Sequence, residues 1–198
     1  MKLLRILPFA RQLFIETINS GDTVVDATAG NGNDTLFLAE HVGEHGHVYA
    51  FDIQQGALDA TAELLGDFTS RVSLILDSHD NVEQYVDEQI GGVVFNLGYL
   101  PHSDDVSIVT KPETTIKAIH KMLGMLKKGG IICVSVYYGH DGGAEERDAL
   151  LNYVESLHQA DVHVLQYGII NQQNNPPFLI ALEKMKVFDE PRQIKVIN

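Results

Sequence analysis

A loop with two glycines is the strongest chemical signal in this sequence of 198 residues. Gly30 and Gly32 flank Asn31, after an apolar run at residues 23–26 that favours a buried strand and before a run at 34–41 that favours a helix. Glycine lets the backbone approach a ligand closely and adopt turns that other residues avoid. The N-terminus of a helix adds partial positive charge. The order strand, glycine loop, helix therefore predicts a ligand site at this loop.

Acidic residues on both sides of the loop distinguish between ligands. Asp26 precedes the loop, where a carboxylate repels a pyrophosphate but suits the cationic methionine end of S-adenosylmethionine. Asp52, 20 residues after Gly32, ends the next predicted strand, where a carboxylate can accept hydrogen bonds from both ribose hydroxyls. Thr35 stands in the place of the third glycine of a dinucleotide fingerprint. The set predicts S-adenosylmethionine as cofactor and argues against a nicotinamide oxidoreductase.

Polar residues follow the third predicted strand as well, in the order Asp77-Ser78-His79. Ligands of open α/β sheets bind at the carboxyl ends of the strands, so this segment is expected beside the adenine. Ser78 or Asp77 would bond the edge of the ring, and His79 would pack on it. The alternative is a helix N-cap, which Ser or Asp serves equally well.

The segment after the fourth strand begins with Asn96-Leu97-Gly98-Tyr99. Many amino-group methyltransferases carry an Asp/Asn-Pro-Pro-aromatic motif here, in which a side-chain carbonyl holds the target nitrogen and the aromatic ring packs on the substrate. Leu97 and Gly98 replace the prolines, so the match is partial. Asn96 is the candidate for holding an amine. The candidates for packing on the substrate or removing its proton are Tyr99, His102, Tyr137, Tyr138 and His140.

The elements that must position these residues alternate between β-branched runs and helical stretches, which is typical of a parallel α/β sheet. Predicted strands cover residues 23–26, 47–51, 72–76, 92–96, 131–137, 162–169 and 178–183, and predicted helices cover 6–18, 34–41, 55–65, 81–88, 111–126 and 144–158. The last two strands have no helix between them, so they must pair antiparallel. The expected fold is α/β, a class I Rossmann-like methyltransferase fold with a mostly parallel seven-stranded sheet and a C-terminal antiparallel strand, in a single domain over residues 1–198.

The net charge of −13 argues against a protein that holds nucleic acid by bulk electrostatics. Local positive charge remains at Lys111, Lys117, Lys121, Lys127 and Lys128, and at Arg5 and Arg11 of the first helix. These residues form either a solvated helix face or a patch that contacts phosphates. A homodimer, in which a second subunit adds to the nucleic-acid surface, is also left open by the sequence.

Other features narrow the class of protein. Cys133 is the only cysteine, which excludes an internal disulfide and favours the cytoplasm. No apolar run reaches the length of about 20 residues that spans a membrane, so no membrane partner is expected. The nine histidines form no cluster with Cys or carboxylates at ligand spacing, so no metal is expected.

The combination of these motifs resembles the MnmM/YtqB-type methyltransferases, long called rRNA methylases. The resemblance rests on VVDATAGNGNDTLFLA, the residues around Asp52, the Asp77-Ser78-His79 turn, the Asn96 segment and the strand end VYYGH, and it covers nearly the whole chain. It implies S-adenosylmethionine contacts at Asn31, Asn33, Asp52, Gln54, Ser78 and His79. It also implies the substrate, the aminomethyl group of 5-aminomethyl-2-thiouridine at the wobble position of tRNA, and hence contacts with the anticodon arm.

The expected reaction is an in-line displacement in which a neutral primary amine attacks the sulfonium methyl group. Catalysis would consist mainly of positioning and of removing the amine's proton. The alternatives are a base methyltransferase that acts on rRNA or DNA and a non-catalytic module that binds S-adenosylmethionine and works through partners.

Overall fold

Seven strands form one sheet in the computed structural model of the chain, which describes residues 3–98 and 109–187. The strands are β1 (Thr23–Asp26), β2 (His47–Asp52), β3 (Val72–Leu76), β4 (Ile90–Leu97), β5 (Leu126–Val136), β6 (Val162–Tyr167) and β7 (Phe178–Lys184). Their order across the sheet is β3-β2-β1-β4-β5-β7-β6.

The direction of the strands follows the predicted pattern. All neighbouring pairs among β1 to β5 are parallel, and β7 runs antiparallel to both β5 and β6. The prediction of a mostly parallel sheet with a C-terminal antiparallel strand is confirmed. The order reverses between β1 and β4, and open α/β sheets bind ligands at the carboxyl ends of strands on either side of such a reversal.

Helices cover both faces of the sheet. They are α1 (Ile6–Thr17), α2 (Asn33–His41), α3 (Gln55–Leu65), α4 (Pro112–Met125) and α5 (Gly143–Glu155). Helices α1, α2 and α3 pack on one face, and α4 and α5 pack on the other. Because side chains alternate along a strand, the adjacent residues Cys133 and Val134 lie in opposite cores. Within the described ranges, no helix is long and apolar enough to cross a membrane.

The short helix predicted over residues 81–88 is instead a 3-10 helix, His79–Gln84. Asp77, just before it, accepts hydrogen bonds from the Asn81 amide at 2.9 Å and from the Tyr85 hydroxyl at 2.8 Å. Local bonds to a short acidic side chain compete with the hydrogen-bond ladder of an α-helix. They hold this segment in the tighter turn.

The C-terminus of α4 is held by a lysine from a distant strand. The sequence analysis predicted a helix up to residue 126, but β5 begins at Leu126 and includes Lys127 and Lys128. Lys184 of β7 instead donates from Nζ to the carbonyl oxygens of Gly124 at 2.8 Å and Leu126 at 2.6 Å. Lys184 is buried, and a buried ammonium needs such acceptors. The last strand therefore fastens the corner between α4 and β5.

Candidate active site

The carboxyl ends of β1, β2 and β4 meet around the glycine loop. The backbone amide of Ala27 donates to the carbonyl of Val94 at 2.9 Å, and the amide of Ala29 donates to the carbonyl of Phe51 at 2.8 Å. The loop is thus fastened to the neighbouring strand on each side as it leaves β1. These two hydrogen bonds fix the position of the following glycines relative to the ends of β2 and β4.

Left-handed backbone conformations explain both glycines of the loop, and close packing against α3 adds a second reason at Gly32. Gly32 adopts a left-handed conformation with φ of 80°, and a Cβ there would lie 2.9 Å from Cα of Thr61. Gly30 also has positive φ, and its carbonyl accepts a hydrogen bond from the Thr61 hydroxyl at 3.2 Å. The loop therefore lies directly against α3, where a side chain at position 32 would force the helix away.

The Asp52 carboxylate joins the end of β2 to the glycine loop. Its Oδ2 accepts the backbone N–H of Gly30 at 3.0 Å, and its Oδ1 accepts the backbone N–H of Gln54 at 2.9 Å. A carboxylate has about four lone-pair directions, so each oxygen keeps one for a ligand hydroxyl. Asp52 is half-buried at this edge, and its contact with the ribose stays a prediction.

Asp26 differs from the sequence expectation. It is fully buried, with Oδ2 accepting the Thr35 hydroxyl at 2.7 Å and Oδ1 accepting the Thr28 amide at 3.1 Å. Burial raises the pKa of Asp26 to about 7, and the charges of Asp34 and Asp52 add to the rise. Asp26 has no exposed surface, so its carboxyl group braces the loop from below instead of facing the cleft where the methionine end is expected.

Asn31 and Asn33, which only the family resemblance selected, are exposed at the loop. Asn33 is the first residue of α2, and its carbonyl accepts a hydrogen bond from Arg11 of α1 at 3.2 Å. Gln54 is the N-cap of α3. All three therefore stand at the N-terminal ends of helices or beside them.

Ser78 and His79 follow β3 with clear structural partners. Ser78 occupies the N-cap position of the 3-10 helix, but its hydroxyl donates to the Asp80 side chain at 2.5 Å and caps no backbone N–H, so the cofactor role and the capping role both stay predictions. His79 is buried, its Nδ1 lies 3.0 Å from the carbonyl of Ala27, and its ring meets Phe95 edge-on. Burial lowers the pKa of His79 and so favours the neutral ring, and because the Ala27 carbonyl can only accept, the proton is assigned to Nδ1. Its Nε2 is then an acceptor, buried without a hydrogen-bond partner in the described part of the chain.

Asn96 is held at the end of β4 by two contacts. Its backbone N–H donates to the Thr28 hydroxyl at 2.7 Å, and its Nδ2 donates to Oδ2 of Asp34 at 2.9 Å. The remaining polar atom of the side chain, Oδ1, is buried and has no hydrogen-bond partner among residues 3–98 and 109–187. An unsatisfied buried acceptor costs about 1–3 kcal/mol, and a ligand with an N–H group would satisfy it.

Gly98 and Thr110, which lie before and after the segment 99–108, are joined by hydrogen bonds. The amide of Gly98 donates to the Thr110 hydroxyl at 3.0 Å, and that hydroxyl donates to buried Glu146 at 2.7 Å. Tyr99 and His102 lie between these two positions, outside the described residues, so the roles expected for them stay predictions.

Tyr137, Tyr138 and His140 separate after β5. Tyr138 turns toward the core of α4 and α5, where its ring packs against Phe178 and under the Arg147 guanidinium. Tyr137 is on the opposite side, and its pKa is raised by burial and by the charge of Asp34. His140 lies beside Gly98. A Cβ atom added at position 98 would lie 3.7 Å from Nε2 of His140. The structure therefore places Tyr137 and His140 beside Gly98, two residues after Asn96, whereas Tyr138 packs into the core.

The sequence analysis missed Asp34 and did not choose between Tyr137 and Tyr138. Asp34 lies in the first turn of α2, where an acidic residue is expected from the helix dipole alone. Tyr137 could have been chosen over Tyr138 from the two-residue period of a strand, because it shares a face with Ser135, the partner of Asn96 in the sheet.

Three of the five lysines between residues 111 and 128 are paired with acids: Lys117 with Asp80, Lys121 with Glu83 and Lys127 with Asp22. The pairs cancel local positive charge, which favours the solvated face over a phosphate patch at these positions. Lys111 is exposed at the N-cap of α4. In the described part of the chain, no group of three His, Cys, Asp or Glu residues could hold a metal ion.

Comparison with known proteins identifies the family. Residues 48–183 match the family described as "Putative rRNA methylase". The chain belongs to this family. A family member from Clostridium thermocellum, titled a "putative rRNA-methylase", has a crystal structure that superposes with a TM-score of 0.91, at 45% identity over 93% of this chain and 100% of that one.

Two further relatives bear on activity. A "putative methyltransferase" from Streptococcus mutans, crystallised with S-adenosylhomocysteine (SAH), gives a TM-score of 0.85 at 40% identity over 92% of this chain and 99% of that one. A protein of Arabidopsis thaliana named tRNA (mnm(5)s(2)U34)-methyltransferase, chloroplastic, is 35% identical over 88% of this chain and 68% of its own length. The prediction of a methyltransferase that uses S-adenosylmethionine is confirmed at the level of the family.

Proposed function

We propose that this protein methylates the aminomethyl nitrogen of 5-aminomethyl-2-thiouridine at the wobble position of tRNA, giving 5-methylaminomethyl-2-thiouridine. The name of the Arabidopsis relative supports this substrate. The structural observation that carries the proposal is Oδ1 of Asn96, a buried acceptor without a partner in the described ranges, at the strand end beside the cofactor loop. Such an acceptor suits a substrate that brings N–H donors, as a primary amine does.

The residues around the loop fit S-adenosylmethionine. Asp52 keeps acceptor capacity for the ribose hydroxyls. The start of α2 presents backbone N–H groups and partial positive charge, which suit the carboxylate of the methionine part. Nε2 of His79 is a buried acceptor that an adenine amino group would satisfy. The proposed cofactor contacts are completed by Gly30, Asn31, Gly32, Asn33, Gln54 and Ser78.

The chain's own residues would then prepare the amine for reaction. Bound S-adenosylmethionine supplies an electrophilic methyl group. Asn96 accepts one N–H of the amine at Oδ1 and so directs the nitrogen lone pair. His140 is assigned to removing the proton of the alkylammonium form, because it lies beside Gly98 at this strand end and an imidazole nitrogen can accept a proton. Tyr137 lines the same face, and Tyr138 supports the strand end from behind.

The decisive experiment compares tRNA nucleosides from cells with and without this protein by mass spectrometry. Loss of the protein should cause 5-aminomethyl-2-thiouridine to accumulate at the expense of its methylated product. Purified enzyme with S-adenosylmethionine should restore the methyl group on that tRNA. It should not methylate tRNA that lacks the aminomethyl precursor. An unchanged nucleoside profile would overturn the assignment.

The family description favours one second candidate, methylation of an rRNA base. The same purified enzyme, offered ribosomal subunits or free rRNA from the deletion strain, would then incorporate methyl groups there. Because tRNA is the proposed substrate, we also propose that the protein works in the cytoplasm, at the anticodon arm of tRNA.

A further inference from the structure

A chain of three side chains leads from α1 to the proposed substrate position. Nε and Nη2 of Arg11 donate to Oδ1 of Asp34 at 3.3 and 3.0 Å. The second oxygen, Oδ2, accepts from Nδ2 of Asn96 at 2.9 Å. From this geometry we propose that Arg11 and Asp34 are positioning residues, which fix the Asn96 amide so that its oxygen faces the substrate amine. This inference rests on the proposed function for the role of Asn96.

The chemistry of the groups allows only one orientation of the Asn96 amide. A side-chain amide can turn so that its oxygen and nitrogen exchange places, and the two orientations differ little in shape. An ionised carboxylate only accepts hydrogen bonds, so Asp34 must face the NH₂ group of Asn96. The amide oxygen is thereby left for the substrate. The reverse orientation would present two N–H donors to an amine that also carries N–H groups.

Arg11 holds the Asp34 carboxylate in the position that this selection requires. A guanidinium only donates hydrogen bonds, so Nε and Nη2 of Arg11 occupy Oδ1 of Asp34 and leave Oδ2 to accept from Asn96. Arg11 is itself fixed by the carbonyl of Asn33 at 3.2 Å and lies over the ring of Phe37, 5.0 Å from its centre. Helix α1, which precedes the cofactor loop in the chain, thus takes part in the site.

Asp34→Asn tests the orientation directly. Arg11 can only donate, so the oxygen of the new amide should turn to Arg11 and its NH₂ group should face Asn96. The Asn96 amide must then turn around and present NH₂ to the substrate. We expect kcat for tRNA methylation to fall by about 10- to 100-fold, the effect of losing one hydrogen bond to a charged or reacting group. The affinity for S-adenosylmethionine by calorimetry, and the melting temperature, should stay close to wild type.

A second variant separates orientation from simple damage. In Asp34→Asn combined with Arg11→Met, the donor that forces the new amide to turn is gone, so the native Asn96 orientation is again allowed. The double variant should recover part of the kcat that Asp34→Asn loses. A double variant as slow as the single one, or slower, would overturn the proposal. Asp59→Asn is the matched control, since exposed Asp59 also accepts a side-chain amide, that of Gln55 at 2.8 Å, and its kcat should equal that of wild type.

A readout without substrate distinguishes this inference from the proposed function. The side-chain NH₂ of Asn96, assigned in a ¹⁵N NMR spectrum by its loss in Asn96→Ala, should shift in Asp34→Asn and return toward its wild-type position in the double variant. If the wild-type enzyme fails to methylate the tRNA but these shifts occur, the function is wrong and the orienting pair stands. Absence of the shifts refutes the orienting pair whatever the substrate.

Discussion

Replacing Asp52 by Asn is the sharpest test of the cofactor site. The carboxylate accepts two backbone N–H groups, from Gly30 at 3.0 Å and Gln54 at 2.9 Å, and retains acceptor capacity for two ribose hydroxyls. The side-chain amide of the variant would have only one accepting oxygen. Its NH₂ group would face one of the two backbone N–H donors and could accept no hydrogen bond from the ribose hydroxyl on that side. Losing one hydrogen bond to a charged group costs about 1.5–3 kcal/mol, so the Kd for S-adenosylmethionine should rise about 10- to 150-fold.

Isothermal titration calorimetry with both S-adenosylmethionine and SAH measures this effect. Both ligands carry the same ribose, so their affinities for Asp52→Asn should fall by the same factor. Asp59→Asn, which removes an exposed carboxylate one turn into α3, should leave both affinities unchanged. Circular dichroism checks that the variant is folded, because the Gly30 contact is also altered. A folded Asp52→Asn that binds both ligands as tightly as wild type refutes the assignment of Asp52 to the ribose.

Three other predictions follow from single residues. Asp26 holds its proton in the folded protein up to pH about 7 but loses it near 3.8 when unfolded, so the free energy of unfolding should fall by about 1.4 kcal/mol per pH unit between these values. Chemical denaturation of Asp26→Asn should lack this slope; an equal slope in both proteins contradicts the burial of the carboxyl group. Gly32→Ala should abolish cofactor binding in calorimetry, since its Cβ would lie 2.9 Å from the α3 backbone, whereas Gly56→Ala, with open space around it, should bind normally. Lys111→Glu should raise the KM for tRNA and weaken its salt dependence without changing cofactor affinity; unchanged tRNA kinetics would move the RNA surface to another face or to a second subunit.

Local signals in the sequence were sufficient to predict the strands of the sheet and the glycine loop. Strand β1 and helix α3 occupy the predicted residues because β1 is a short, continuously buried run and α3 has buried side chains at helical spacing, each with a glycine or polar boundary. The glycine loop was recognisable because its neighbours in sequence, a strand and a helix, are also its neighbours in space.

Contacts between residues distant in sequence were not predictable in this way. Arg11, Asp34 and Asn96 are separated by 23 and 62 positions, and each alone has an ordinary explanation as a surface or helix-end residue. The same limit explains the end of α4. Lys127 is adjacent in sequence, but Lys184 reaches the helix end because β7 inserts beside β5.

The place of β7 between β5 and β6 also determines when the sheet can be completed as the chain is synthesised. Strand β5 precedes the last described strand by more than forty residues in sequence, so on the ribosome its apolar edge stays unpaired until β7 emerges. Unpaired edges of apolar strands promote aggregation during slow synthesis. Chaperone demand during translation should therefore persist until β7 is made, even though the glycine loop is complete early, and stalled nascent chains that lack β7 should be favoured targets for proteolysis.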